Sequence, residues 1–140
     1  MAAVAHPVTT PLSYKVATLT ATVSGSSDTD TLTPQVHEIR FTPATQTGSW
    51  TGISGNVVSD QSIAVWSVVL GMIQDVAATG LLRWLLTNEG KKATFTALLT
   101  TGVTVTFTAT ISPAEIGGAV APGYLTSTVT LAMDGKPVFS

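Results

Sequence analysis

ATFTALLTTGVTVTFTATI, residues Ala93 to Ile111, alternates with period two along both of its arms. A strand turns successive side chains to opposite faces. Val103, Val105, Phe107, Ala109 and Ile111 therefore share one face, and Thr104, Thr106, Thr108 and Thr110 share the other. Thr101-Gly102 between the arms supplies a turn, so the segment reads as a long β-hairpin. Threonine, being β-branched, suits the solvated face of an antiparallel sheet. The unusual feature is that no charged residue occurs from Ala93 to Ser112. Soluble proteins place charge there to block pairing between sheet edges. An exposed hairpin without it invites edge-to-edge association, which a self-assembling protein would use.

Upstream, Lys15 to Val23 sets Val16, Thr18, Thr20 and Thr22 against Ala17, Leu19, Ala21 and Val23, predicting a half-buried strand. Ser24 to Pro34 is a polar loop. Gln35 to Thr42 predicts a second strand, with Ile39 and Phe41 on one face and Val36, Glu38 and Arg40 on the other. Pro43 to Asp60, PATQTGSWTGISGNVVSD, predicts a long loop around Trp50 with room for a short hairpin. Loops of this length are usually functional, and an exposed aromatic calls for cover by a partner. Gln61 to Met72 is apolar on both faces. Ala64, Trp66, Val68 and Leu70 line one, and Ile63, Val65 and Val69 line the other, which predicts a strand covered on both sides.

Asp75 to Glu89 carries the only helical pattern, with Leu81, Leu82, Leu85 and Leu86 in one stripe. Thr79 is the expected N-cap, with Asp75 as an alternative start, and Gly90 the expected left-handed residue at the far end. Lys91 and Lys92 suit the negative end of the helix. Beyond the hairpin come a loop, Ser112 to Tyr124, and a strand, Leu125 to Met133, with Thr126, Thr128 and Thr130 on one face. Asp134-Gly135 predicts a turn before a short last strand, Lys136 to Phe139. Residues 1–12, with Pro7 and Pro11, read as an arm, and residues 13–140 as one domain. The expected fold is mainly β, an antiparallel β-sandwich or barrel of six or seven strands with one flanking α-helix.

Composition narrows the function. Of 140 residues, 6 are Lys or Arg and 8 are Asp or Glu, so 10% are charged, against roughly 25% in an ordinary soluble domain. The 25 Thr and 12 Ser outnumber the ions, so the polar surface is mostly hydroxyl. The absence of Cys excludes disulfides and thiolate metal sites. Ile63 to Ile73 is the longest apolar stretch, and a spanning helix needs about 20 residues. The start MAAVAHPVTTPL has no basic region and no apolar core, so it does not read as a signal peptide. Lys15, Arg40, Arg83, Lys91, Lys92 and Lys136 are scattered under a net charge of −2. They form no basic stripe of the kind that displaces counterions from nucleic acid.

The search for chemistry returns nothing coherent. His6 lies in the arm and His37 in a strand, without the three close ligands a metal needs. Ser24, His37 and Asp28 assemble a triad only on paper, because a triad is a matter of geometry. Gly52, Gly55 and Gly117-Gly118 are not followed by the Lys-Ser/Thr of a phosphate loop. Asp28 and Asp30 read better as solvated loop acids than as a calcium site. No catalytic residue, cofactor or metal is expected.

The order of segments in the second half resembles a known family. LLRWLLTNEGKK (Leu81 to Lys92), the uncharged Thr/Val hairpin (Ala93 to Ile111), SPAEIGGAV (Ser112 to Val120) and TSTVTLAMDGKPVF (Thr126 to Phe139) are similar to the major tail tube proteins of long-tailed, non-contractile phages. The resemblance covers roughly residues 76–139. The first half agrees in size, strand order and its long central loop. Related folds occur in contractile tails, type VI secretion tubes and tail-like bacteriocins. The resemblance implies a structural virion protein, assembled in the host cytoplasm, that forms rings, typically six-membered. The rings stack into a tube around a tape-measure protein and join other tail proteins, and the tube later passes DNA as transient cargo. It implies ring stacking through the long loop and the arm, here Trp50, Thr51, Ile53, Val57, Val58 and Pro7. It also implies a sheet joined between subunits and lining the lumen, here Thr104, Thr106, Thr108 and Thr110. A tail terminator, a tail-like secretion tube and a monomeric glycan-binding β-sandwich are the alternatives.

Overall fold

Period-two alternation in the sequence becomes antiparallel pairing throughout. The computed structural model describes all residues except 1, 2, 4, 9, 10, 13–16, 62, 63 and 121. The expected strand positions Lys15 and Val16 and the expected outer-face Ile63 lie outside the described residues. In chain order the elements are β1 (Thr18–Val23), β2 (Asp30–Thr31), β3 (Val36–Ala44), β4 (Thr47–Thr51), β5 (Val57–Gln61), β6 (Val65–Ile73), α1 (Leu81–Thr87), β7 (Lys92–Thr100), β8 (Val103–Thr110), β9 (Thr126–Ala132) and β10 (Val138–Phe139). A five-stranded sheet runs β10-β8-β7-β1-β2, a three-stranded sheet β3-β6-β9, and β4-β5 form a separate ribbon. This is the expected mainly β fold with one α-helix among the described residues, but it has ten strands rather than six or seven, because short pairs such as β2, β4, β5 and β10 join the sheets or the ribbon.

The two larger sheets meet through their apolar faces. Leu19, Ala21, Phe95, Ala97, Leu99, Val105, Phe107 and Ala109 come from the five-stranded sheet, and Ile39, Val68, Leu70, Met72, Val129 and Leu131 from the other; all are buried. An aromatic column ties the layers together. Phe95 stacks on Phe107 at 5.0 Å and 5°, and Phe107 meets Phe41 of β3 edge to face at 5.0 Å. Trp84 of α1 meets Phe95 at 6.3 Å, so the helix is keyed to the same column.

The helix is shorter than its pattern. It begins at Leu81, with Gly80 as N-cap and no side-chain cap bond, so Thr79 does not cap it. The chain before it folds as a turn because Asp75 Oδ1 accepts the Ala77 N–H at 3.0 Å and the Ala77 carbonyl accepts the Gly80 N–H at 2.9 Å. A Cβ at position 80 would lie 2.5 Å from the Asp75 carbonyl oxygen, so this close turn admits only glycine. The first helical N–H, that of Leu81, is received instead by Gln35 Oε1 at 2.7 Å, while Gln35 Nε2 donates to Asp75 Oδ2 at 3.1 Å. Leu81, Leu82 and Leu85 are buried, but Leu86 turns outward. Gly90 takes the expected positive φ of 81°. Lys92 leaves the helix end to pair with Asp134 at 2.7 Å. Gln35→Ala would orphan the Leu81 N–H and release Asp75. A loss of about 1–2 kcal/mol is expected from urea melts, the usual cost of a deleted cap.

Three further features have local causes. The β3–β6 register shifts between Val36 and Glu38, and the extra residue, His37, turns Val36 back toward the core rather than to the outer face. The hairpin for which Pro43 to Asp60 left room takes up most of that segment, as the β4–β5 ribbon, and Pro43 and Ala44 end β3. The outer face of β6 carries no second layer among the described elements, because β3 and β9 flank it edgewise; Val65 is 69% exposed.

Candidate assembly surfaces

β3 and β6 run on past the sandwich into the β4–β5 ribbon, whose ten residues are all exposed. Trp50 pairs with Val58 and Thr51 with Val57, so the two pairs lie on opposite faces. The tip is tied by the Gly52 N–H to the Asn56 carbonyl at 2.7 Å, and Gly55 has a φ of 88°. The Trp50 ring folds over Gly52, where a Cβ would lie 3.1 Å from it. Ile53 at the tip is fully exposed, and Trp50, Val57 and Val58 each expose more than half of their surface. A two-stranded ribbon is marginal in water by itself. Trp50, Val57 and Val58 are the apolar side chains it leaves in water. Pro7 of the arm is likewise exposed, beside Val8.

Thr104, Thr106, Thr108 and Thr110 are half-buried on the outer face of the five-stranded sheet. Cross-strand register extends them into rows: Thr31, Thr20, Thr96 and Thr106 in one, Thr22, Thr94 and Thr108 in the next. Lys92, opposite Thr110, is the cation at the end of this face. The hairpin is not a sheet edge, however. β7 is paired with β1, and β8 is flanked by β10 and by the chain leaving β9. Ser140 exchanges backbone bonds with Thr104, and the Asp134 N–H reaches the Thr108 carbonyl at 2.8 Å. The short last strand was expected from the sequence, but local alternation does not record that it pairs with β8. The three-stranded sheet has its own hydroxyl face, with Thr126, Thr128 and Thr130 exposed on β9.

The residues that might have carried chemistry stay apart. Ser24 and Asp28 line a cleft beside Trp84 and Lys91, while His37 lines a different one with Thr18 and Thr33. The His37 ring sits over Gly71, where a Cβ would lie 3.1 Å from Nε2. Asp30 receives the Trp84 indole N–H at 2.9 Å, so it pins the helix to β2 rather than sitting solvated in a loop. No group of potential metal ligands occurs among the described residues, and no helix among them is long and apolar enough to cross a membrane. One polar clamp went unnoticed in the sequence. Gln74 takes the Gly117 N–H at 2.7 Å and donates to the Gly117 and Thr126 carbonyls, fixing the loop after β8 as a strand would.

No protein-family model and no curated protein matches the sequence. Solved structures do match the fold. A chain in the tail of an empty GTA particle, refined with C6 helical symmetry, superposes with a TM-score of 0.60 at 16% identity, covering 88% of this chain and 94% of that one. This chain shares the fold of that tail chain. A chain of the sheath/tube terminator of an extracellular contractile injection system gives 0.58 at 14% identity over 96% and 99% of the two chains. One from that system's sheath-tube complex gives 0.55 at 15% over 95% and 93%.

Proposed function

We propose that this chain is a structural tail component, the major tail tube subunit of a long-tailed phage or phage-like particle. Copies join into rings, six-membered on this reading, and the rings stack into a tube assembled in the host cytoplasm around a tape-measure protein. The tube then carries DNA as transient cargo. The observation that carries the reading is the fold match over nearly the whole length of chains from assembled tails. The apolar ribbon supports it, because Trp50, Thr51, Ile53, Val57 and Val58 offer on both faces what a neighbouring ring would cover. Pro7 would place the arm in the same joint. The channel wall is one of the two threonine faces, that of Thr104, Thr106, Thr108 and Thr110 or that of Thr126, Thr128 and Thr130. Either wets a lumen without gripping phosphates. No catalytic group, cofactor or membrane enters this role.

The match to a chain in a structure of a sheath/tube terminator favours one second reading, a terminator with the same fold. Quantitative mass spectrometry of purified particles separates the two. A tube subunit is present in many stacked copies per particle and outnumbers every other tail protein. A count equal to one ring assigns the terminator.

A further inference from the structure

We infer that the cleft between β2 and α1 is a binding site for an organic cation, the guanidinium of an arginine presented by a partner protein. The inference lies outside the tube reading and does not need it. The cleft holds about 200 Å³, with Leu32, Pro34 and Leu81 as its apolar lining and Asp30, Thr79 and Trp84 beside them. Two contacts fix the indole before any ligand arrives. Its N–H donates to Asp30 Oδ2 at 2.9 Å, and its ring meets Phe95 edge to face at 6.3 Å. The Gln35 amide in the same wall is spent on the Leu81 N–H and on Asp75. A site held in shape by its own bonds loses little freedom on binding.

Asp30 is a part-buried acid without a counter-charge. Among the described residues the ion pairs are Glu38 with Arg40 and Lys92 with Asp134, and the one side-chain bond to the Asp30 carboxylate comes from the neutral indole. Arg83 and Lys91 line neighbouring clefts that share Asp30 and Trp84, yet neither pairs with Asp30. A carboxylate partly out of water attracts a cation more strongly than an exposed one does. An indole draws cations to its ring, arginine more often than lysine. The guanidinium is also planar, and its fork of N–H donors fits a carboxylate. Size decides the source. Sites for whole small molecules run to about 300–1,000 Å³, so this cleft takes the end of one side chain.

Nuclear magnetic resonance of the Trp84 indole N–H in the monomeric chain, titrated with N-acetyl-arginine amide, tests this. The expected result is a saturable shift with a dissociation constant on the order of millimolar. The Trp50 indole, exposed on the ribbon, reports unspecific stacking and should not saturate. Asp30→Asn keeps an oxygen for the indole N–H and removes the charge. It should keep the circular dichroism of the unmodified chain and bind at least about 10-fold more weakly. N-acetyl-citrulline amide, neutral and of nearly the same shape, should give no saturable shift. That comparison uses the unmodified chain, so it decides even where the variant fails to fold. No saturable shift at Trp84, equal shifts from the arginine and citrulline compounds, or Asp30→Asn binding as tightly as the unmodified chain overturns the site and leaves the tube reading untouched.

Discussion

Phe95→Ala should cost about 3–5 kcal/mol of folding stability, the range for a fully buried phenylalanine that leaves a cavity. Phe95 has no solvent exposure. It is also the middle of the column from Trp84 through Phe107 to Phe41, so its loss unstacks the helix and both sheets together. Domains of this size are stable by about 5–15 kcal/mol, so the variant should melt on the order of 10 °C lower and populate unfolded chain. Phe139→Ala is the internal comparison. That ring is 66% exposed on a two-residue strand, and its loss should stay within about 0.5 kcal/mol. Urea denaturation of the two variants measures the difference. Equal losses would mean that the column does not hold the layers together.

Trp50→Ala should leave the fold intact and remove assembly. The ribbon makes no contribution to the buried core, so its truncation costs the monomer little. In an assembled ring stack, a desolvated tryptophan is the residue type that carries joint energy, at about 2 kcal/mol or more. That corresponds to about a 30-fold higher concentration for rod formation at each joint. Val58→Ala, on the same ribbon face opposite Trp50, should act in the same direction but less. Sedimentation velocity across a concentration series reads both. Rods of Trp50→Ala at the unmodified threshold would take ring stacking away from this ribbon.

The sandwich was legible in the sequence because its core faces are written as alternation. Leu19, Ala21 and Val23, Val105 to Ile111, and Val129 and Leu131 all lie where period two puts them. Contacts that cross the chain left no periodic trace. The helix start depended on Gln35, a side chain 46 residues earlier, and on a turn held by Asp75, neither of which a local helical pattern records. Val36 changed sides because one inserted residue, His37, reverses a strand's facing. The uncharged segment was readable as a hairpin, but not its place in the sheet. Strand order comes from long-range pairing, and β10 covers β8 with two residues. The exposure of Trp50 was legible, since an aromatic amid Gly, Ser and Thr has no core of its own to enter.

On the proposed function, the folded chain is one part of a larger tube. Negative-stain electron microscopy of the purified protein across a concentration series tests it most directly. The expected images are annuli and hollow rods of one uniform diameter, lengthening with concentration. A chain that stays monomeric at millimolar concentration, and forms no tubes when its tape-measure and assembly partners are supplied, is not a tube subunit.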